Sequence, residues 1–222
     1  MAKMSKELSI LCFGNSLTAG YYHFGCDYHP YALTLKDKLQ AAFPKITLTV
    51  DVDGLPGDLV ISPPGKSLSR IKAKCVSASL IFVAVLTITV DGSSYDWVIV
   101  LGGTNDLGTR YPPSKIYPAL QEVWDVALDN GANVLALTIP ECSAVSTTLD
   151  MRRNEVNSSI LAHQAEGFHA FDLHGKLPYH NATEEFREKI WDDGLHLTAE
   201  GYKLVGDVVG EHLIALLKDE GL

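Results

Sequence analysis

Leu8-Ser9-Ile10-Leu11-Cys12-Phe13-Gly14-Asn15-Ser16-Leu17 is the stretch from which the fold of this chain can be read. A short apolar run that stops at a glycine reads as a buried strand followed by a tight turn. Downstream, Tyr31 to Phe43 reads as a helix. Leu35, Leu39 and Ala42 recur at helical spacing, Lys36 and Lys38 face elsewhere, and Pro44 stops the pattern before the β-branched run Ile46 to Val52. The order is strand, helix, strand.

The alternation continues to the end of the chain. Ser67 to Cys75 reads as a helix, Asp96 to Leu101 as a third strand, Pro118 to Asn130 as a helix and Asn133 to Ile139 as a fourth strand. Asp150 to Glu166 then reads as a helix, Phe168 to Leu173 as a fifth strand, and Thr198 to Leu217 as a long amphipathic closing helix. Continuous apolar strands separated by helices predict a parallel sheet covered on both faces, because right-handed crossovers place the helices there. The expected fold class is α/β, a three-layer α/β/α sandwich on a five-stranded parallel sheet.

With 222 residues and 46% hydrophobic composition, the chain is expected to form one domain over residues 1–222. A formal net charge of -9 with scattered lysines argues against nucleic acid and stable membrane association, both of which call for a basic face, and favours a neutral or cationic small molecule as partner. Met1 to Lys6 is polar and lacks the pattern of an export signal. Cys12, Cys26, Cys75 and Cys142 lie far apart without metal-ligand spacing, which reads as reduced thiols in a cytoplasmic protein.

One segment breaks the regularity, an atypical apolar insertion at about residues 76–94. Its uninterrupted apolar core, Leu80 to Val90, is well short of the roughly 20 residues of a spanning helix. An extra buried strand is the plain reading, and exposure would make the segment aggregation-prone. It would enter the third strand at the amino end, the wrong side for an active-site lid. Val76-Ser77 can be encoded by a splice-donor consensus, and removing the segment would join Lys74-Cys75 to Tyr95-Asp96-Trp97, so translated intron is the hypothesis for it.

Four islands carry chemistry: Gly14-Asn15-Ser16-Leu17, Gly57-Asp58, Gly103-Thr104-Asn105-Asp106 and Asp193-Gly194-Leu195-His196. The first three follow strands one to three and the last precedes the closing helix, so all converge on the carboxyl edge where open parallel sheets bind ligands. Ser16 is the candidate nucleophile, although a small polar residue at such a junction is more often a helix cap. Gly57, in a turn that would ordinarily be only a bend, offers an N–H free of a side chain. Asn105, otherwise a helix cap, offers an amide, and with the Ser16 N–H these form a candidate oxyanion hole. His196 is the candidate base with Asp193 its orienting carboxylate; a surface ion pair is the bland alternative and Asp192 a substitute orienter. His163, His169, His174 and His180 lack the three- or four-residue spacing of helical metal ligands, so no metal or other cofactor is expected.

These residues resemble the SGNH hydrolases, also called the GDSL esterase/lipase family, over nearly the whole chain. The serine, glycine, asparagine, aspartate and histidine positions are occupied by Ser16, Gly57, Asn105, Asp193 and His196, while Asn15 stands where aspartate is usual. The resemblance implies a flavodoxin-like sandwich, no metal, a Ser16-His196-Asp193 triad, and an oxyanion hole of Ser16, Gly57 and Asn105. It makes the expected function a serine esterase acting through an acyl-enzyme, and the absence of a plausible lid favours small, short-acyl esters. Two rivals stand beside it. One is a flavodoxin-like FMN-binding carrier, in which the His196 island has no purpose, and the other is a catalytically inactive interaction module. Loops Tyr21 to Pro30 and Glu141 to Thr148 are expected to shape the pocket.

Overall fold

The computed structural model describes residues 6–76 and 95–222. In chain order its elements are β1 (Glu7–Gly14), α1 (Ser16–Ala19), the two-residue strands β2 (Tyr21–Tyr22) and β3 (Asp27–Tyr28), α2 (Ala32–Ala42), β4 (Thr47–Gly54) and α3 (Ser67–Cys75). These are followed by β5 (Trp97–Leu101), α4 (Thr104–Gly108), α5 (Pro113–Asp129), β6 (Asn133–Leu137), α6 (Thr147–Ala162), β7 (Phe168–Phe171), α7 (Glu184–Ile190) and α8 (Ala199–Asp219). Five strands form one sheet in the order β4-β1-β5-β6-β7, every pair parallel, which is the flavodoxin-like order. The short β2-β3 hairpin stands apart.

Both faces of the sheet are buried because successive side chains point to opposite sides. Ile10 and Cys12 of β1, Trp97 and Ile99 of β5, and Leu135 and Leu137 of β6 share one core with Leu35 and Leu39 of α2 and Tyr202, Val205, Val209 and Leu213 of α8. Their neighbours Leu11, Phe13, Val98, Val100, Val134 and Ala136 share the other with α3, α5 and α6. This explains why the central strands β5 and β6 read as apolar runs, whereas the edge strand β4 alternates Thr47, Thr49, Asp51 and Asp53 with apolar residues.

The register aligns the strand ends that matter for function. Gly14 pairs with Gly54 on one side and Leu101 on the other, so the turns after β1, β4 and β5 emerge together. A Cβ on Gly14 would lie 2.2 Å from the Leu101 carbonyl oxygen, so only glycine permits this approach.

Some boundaries differ from the sequence expectation. Helix α5 starts at Pro113, not Pro118, because a proline at the first helical position loses no hydrogen bond, and Pro118 lies inside the helix. Helix α6 starts at Thr147, where Ser146 Oγ accepts the Leu149 N–H at 3.3 Å, and ends at Ala162, short of the expected Glu166. Helices α4 and α7 are too short to show a period. No helix among the described residues is long and apolar enough to cross a membrane. The extra strand expected in the apolar insertion falls outside the described residues.

Candidate active site

Ser16 opens the one-turn helix α1 directly after β1. The cap at this junction is Asn15, whose Oδ1 accepts the Leu17 N–H at 3.1 Å. The capping role expected of one of the two therefore falls to Asn15 and leaves the Ser16 hydroxyl for another partner. That partner is His196, whose Nε2 lies 3.0 Å from Ser16 Oγ across 180 positions of sequence.

The other ring nitrogen, His196 Nδ1, lies 2.8 Å from Asp193 Oδ2. Asp193 Oδ1 accepts the backbone N–H groups of Leu195 and His196 at 2.9 and 2.7 Å, so the carboxylate is locked to the same short loop as the ring it faces. Burial pushes the Asp193 carboxyl up, but hydrogen bonds from the His196 ring and these two N–H groups outweigh it, and the group is held below its ordinary value. It stays ionised. Asp192, the substitute orienter, faces a different partner: its Oδ2 accepts the His23 N–H at 2.8 Å, beside the β2-β3 hairpin. The Tyr21 ring from that hairpin sits 4.6 Å from the imidazole and packs its side.

Gly57 adopts φ +77°, a left-handed conformation, and a Cβ there would meet nothing within 4 Å. Glycine is needed for the backbone angle, because space is not limiting. Asn105 is not the helix cap; Gly103 holds that position, and Asn105 Nδ2 donates to the Asp58 carbonyl oxygen at 2.8 Å. A primary amide has two N–H groups, so one braces the Gly57-Asp58 turn while the other remains for a ligand.

Three supporting residues carried no role in the sequence reading. Asp58 is buried and accepts from the Lys66 N–H, Ser67 Oγ and Arg70 Nη1 at 2.7, 2.9 and 2.7 Å. Arg70 also donates to the carbonyl oxygens of Gly14 and Asp53 at 3.1 and 2.6 Å, tying the ends of β1 and β4 to this turn. Asp106, fully buried, accepts the Val60 and Ile61 N–H groups at 3.1 Å each; burial raises its pKa despite those bonds. Asp58 and Asp106 stood in the islands beside Gly57 and Asn105, a positional signal. Arg70 had none.

A cavity of about 920 Å³ reaches the site through Gly57, Asn105, Gly194 and Leu195. Of the two loops expected to shape it, residues of the 141–148 loop line it, whereas Tyr21 to Pro30 do not. Among the described residues no group of three His, Cys, Asp or Glu side chains is placed to hold a metal ion.

The fold is a flavodoxin-like three-layer sandwich with a serine, an imidazole and a carboxylate joined in series at the carboxyl ends of its strands. Residues 12–204 match the GDSL-like Lipase/Acylhydrolase family, and the chain belongs to that family of hydrolases. Among solved structures it is similar to the lipase/acylhydrolase from Enterococcus faecalis at 19% identity and TM-score 0.67, covering 94% of this chain and 96% of that one. It is also similar to a mutant acetyl-xylooligosaccharide esterase from Geobacillus Stearmophilus (15% identity, TM-score 0.66, coverage 99% and 97%). A carbohydrate esterase family 3 protein from Talaromyces cellulolyticus is a third (14%, 0.65, 96% and 99%). No curated protein matches the chain.

Proposed function

We propose that this chain is a serine esterase that hydrolyses small, short-acyl carboxylic esters through an acyl-enzyme, with Ser16 as nucleophile, His196 as general base and Asp193 as its orienting carboxylate. The observation that carries the reading is the hydrogen-bonded series Ser16 Oγ, His196 Nε2, His196 Nδ1 and Asp193 Oδ2, at 3.0 and 2.8 Å. Ser16 Oγ attacks the ester carbonyl as its proton passes to His196 Nε2. The oxyanion is received by the N–H groups of Ser16 and Gly57 and the free N–H of Asn105. Collapse of the tetrahedral adduct breaks the bond to the alcohol, which takes the proton from His196. Water then attacks the acyl-serine as His196 accepts its proton, and collapse of this second adduct breaks the bond to Ser16 Oγ, which takes the proton back from His196 as the acid leaves.

Asp193 stabilises the imidazolium formed in each half-reaction and keeps the ring in one tautomer. All four cysteines are free, which fits our placement of the protein in the cytoplasm.

The test is hydrolysis of p-nitrophenyl acetate together with labelling by a serine-directed fluorophosphonate. Wild-type protein should turn over the ester and be labelled at Ser16, and Ser16→Ala should lose both. A folded wild-type protein that is neither labelled nor active would instead be an inactive interaction module.

A further inference from the structure

The charged residues lining the cavity beside the candidate site are opposite in sign to the net charge of the chain. The chain has 27 acidic and 18 basic residues, yet three of its five arginines, Arg110, Arg152 and Arg153, line this one space, and among the described residues no carboxylate does. Arg153 is accounted for: it is buried, donates to Asp150 Oδ1 at 2.9 Å and reaches Cys142 Sγ at 3.4 Å. Arg110 and Arg152 form no ion pair among the described residues. Instead Arg152 Nη1 donates to the Arg110 carbonyl oxygen at 3.3 Å, which brings the two residues together on one wall.

Two independent features point the same way. Ser146, Thr148 and Leu149, at the amino end of the 16-residue helix α6, line the cavity, and a helix amino end favours an anion through its partial positive charge. Arg110 also adopts φ +68°, a conformation that is unfavourable for a residue with a side chain. Such strain persists where the surrounding structure imposes it, often at ligand sites. Arg110 and Arg152, both lining the cavity without an ion pair among the described residues, lack the partner that a planar guanidinium pairs with best, a carboxylate or phosphate.

We infer that the ester processed here carries a negatively charged group, a carboxylate or phosphate, held in this cavity by Arg110 and Arg152 while its carbonyl lies at Ser16. It departs from the preference for neutral or cationic partners that net charge alone suggests, and it rests on the esterase reading above. It selects anionic esters over neutral ones of equal size.

The experiment compares matched esters, each rate divided by its alkaline hydrolysis rate. Phenyl acetate is set against 4-acetoxybenzoate and 4-acetoxyphenyl phosphate, and p-nitrophenyl butyrate against p-nitrophenyl hemisuccinate. At low salt kcat/KM should favour at least one anionic member by about tenfold or more, and the preferred arm tells carboxylate from phosphate and alcohol side from acyl side. That preference should shrink in about 0.5 M NaCl, and it should fall to about one in the Arg110→Gln/Arg152→Gln double variant. Equal or better turnover of every neutral member by wild-type protein would overturn the inference while leaving the esterase reading intact. Calorimetric titration with 4-hydroxybenzoate and with inorganic phosphate separates the two readings. Binding of either anion that is lost in the double variant would uphold the anion site even if no ester were hydrolysed, and binding of neither would overturn it.

Discussion

Asn105 Nδ2 donates a 2.8 Å hydrogen bond to the carbonyl oxygen of Asp58, so the turn after β5 braces the turn after β4 across 47 positions of sequence. The two donors proposed from these turns, the Gly57 N–H and the second Asn105 N–H, are thereby held as one unit. Substitution at Asn105 should disturb both.

Asn105→Ala removes one donor and the brace of the other. Turnover of p-nitrophenyl acetate should fall about 100-fold or more, with the loss in kcat rather than KM. Steady-state kinetics decide this, and an unchanged kcat would remove Asn105 from the proposed oxyanion hole.

Asp193→Asn keeps the shape of the loop but removes the charge that opposes the imidazolium. A drop in kcat of about 10⁴-fold at neutral pH is expected, by the precedent of serine triads in general. The same group sets an acid limit on stability. Its folded pKa lies below the ordinary 3.8, so its stabilisation is complete above that value and is lost as pH falls through the lower folded one. Thermal melts recorded from pH 6 down to about 2.5 should therefore steepen below the ordinary carboxylate range in wild-type protein and do so less in the variant.

Arg70 is the cation of a part-buried network with Asp53 and Asp58. Arg70→Leu leaves the buried Asp58 carboxylate without a counter-charge, a change that costs about 3–5 kcal/mol when such pairs are broken. Denaturant melts should register that loss. Arg70→Leu/Asp58→Asn, which removes the stranded charge, should recover part of it.

The apolar insertion makes a separate prediction. Cys75, at the end of α3, and Tyr95, just before β5, are buried in the same core. Joining them directly by deleting residues 76–94 should keep the fold and the esterase activity and raise the yield of soluble protein, because an aggregation-prone segment is removed. Gel filtration and circular dichroism would check it, and a deletion variant that is insoluble or unfolded would show that the segment is required. A spliced transcript that retains it in full would end the intron hypothesis.

Much of this molecule is legible in one dimension. The central strands of the sheet announce themselves because burial on both faces makes them almost wholly apolar, and the four islands sit after strands or before the last helix, where a parallel sheet must place its ligand. Local geometry also made Asp193 the better partner for His196, since a loop of three residues can fold a carboxylate back onto its own backbone N–H groups and the ring. What required three dimensions were contacts between residues that share no local pattern. Arg70 reaches a carbonyl oxygen 56 positions earlier, Asp192 is spent on His23, and Arg110 meets Arg152 across 42 positions. Composition averages charge over the whole chain, so a net value of -9 hid a cavity walled by arginine. Periodicity and turn chemistry act over a few residues and are written in the order of the chain. Electrostatics acts through space, and only the packed chain decides which charges face one another.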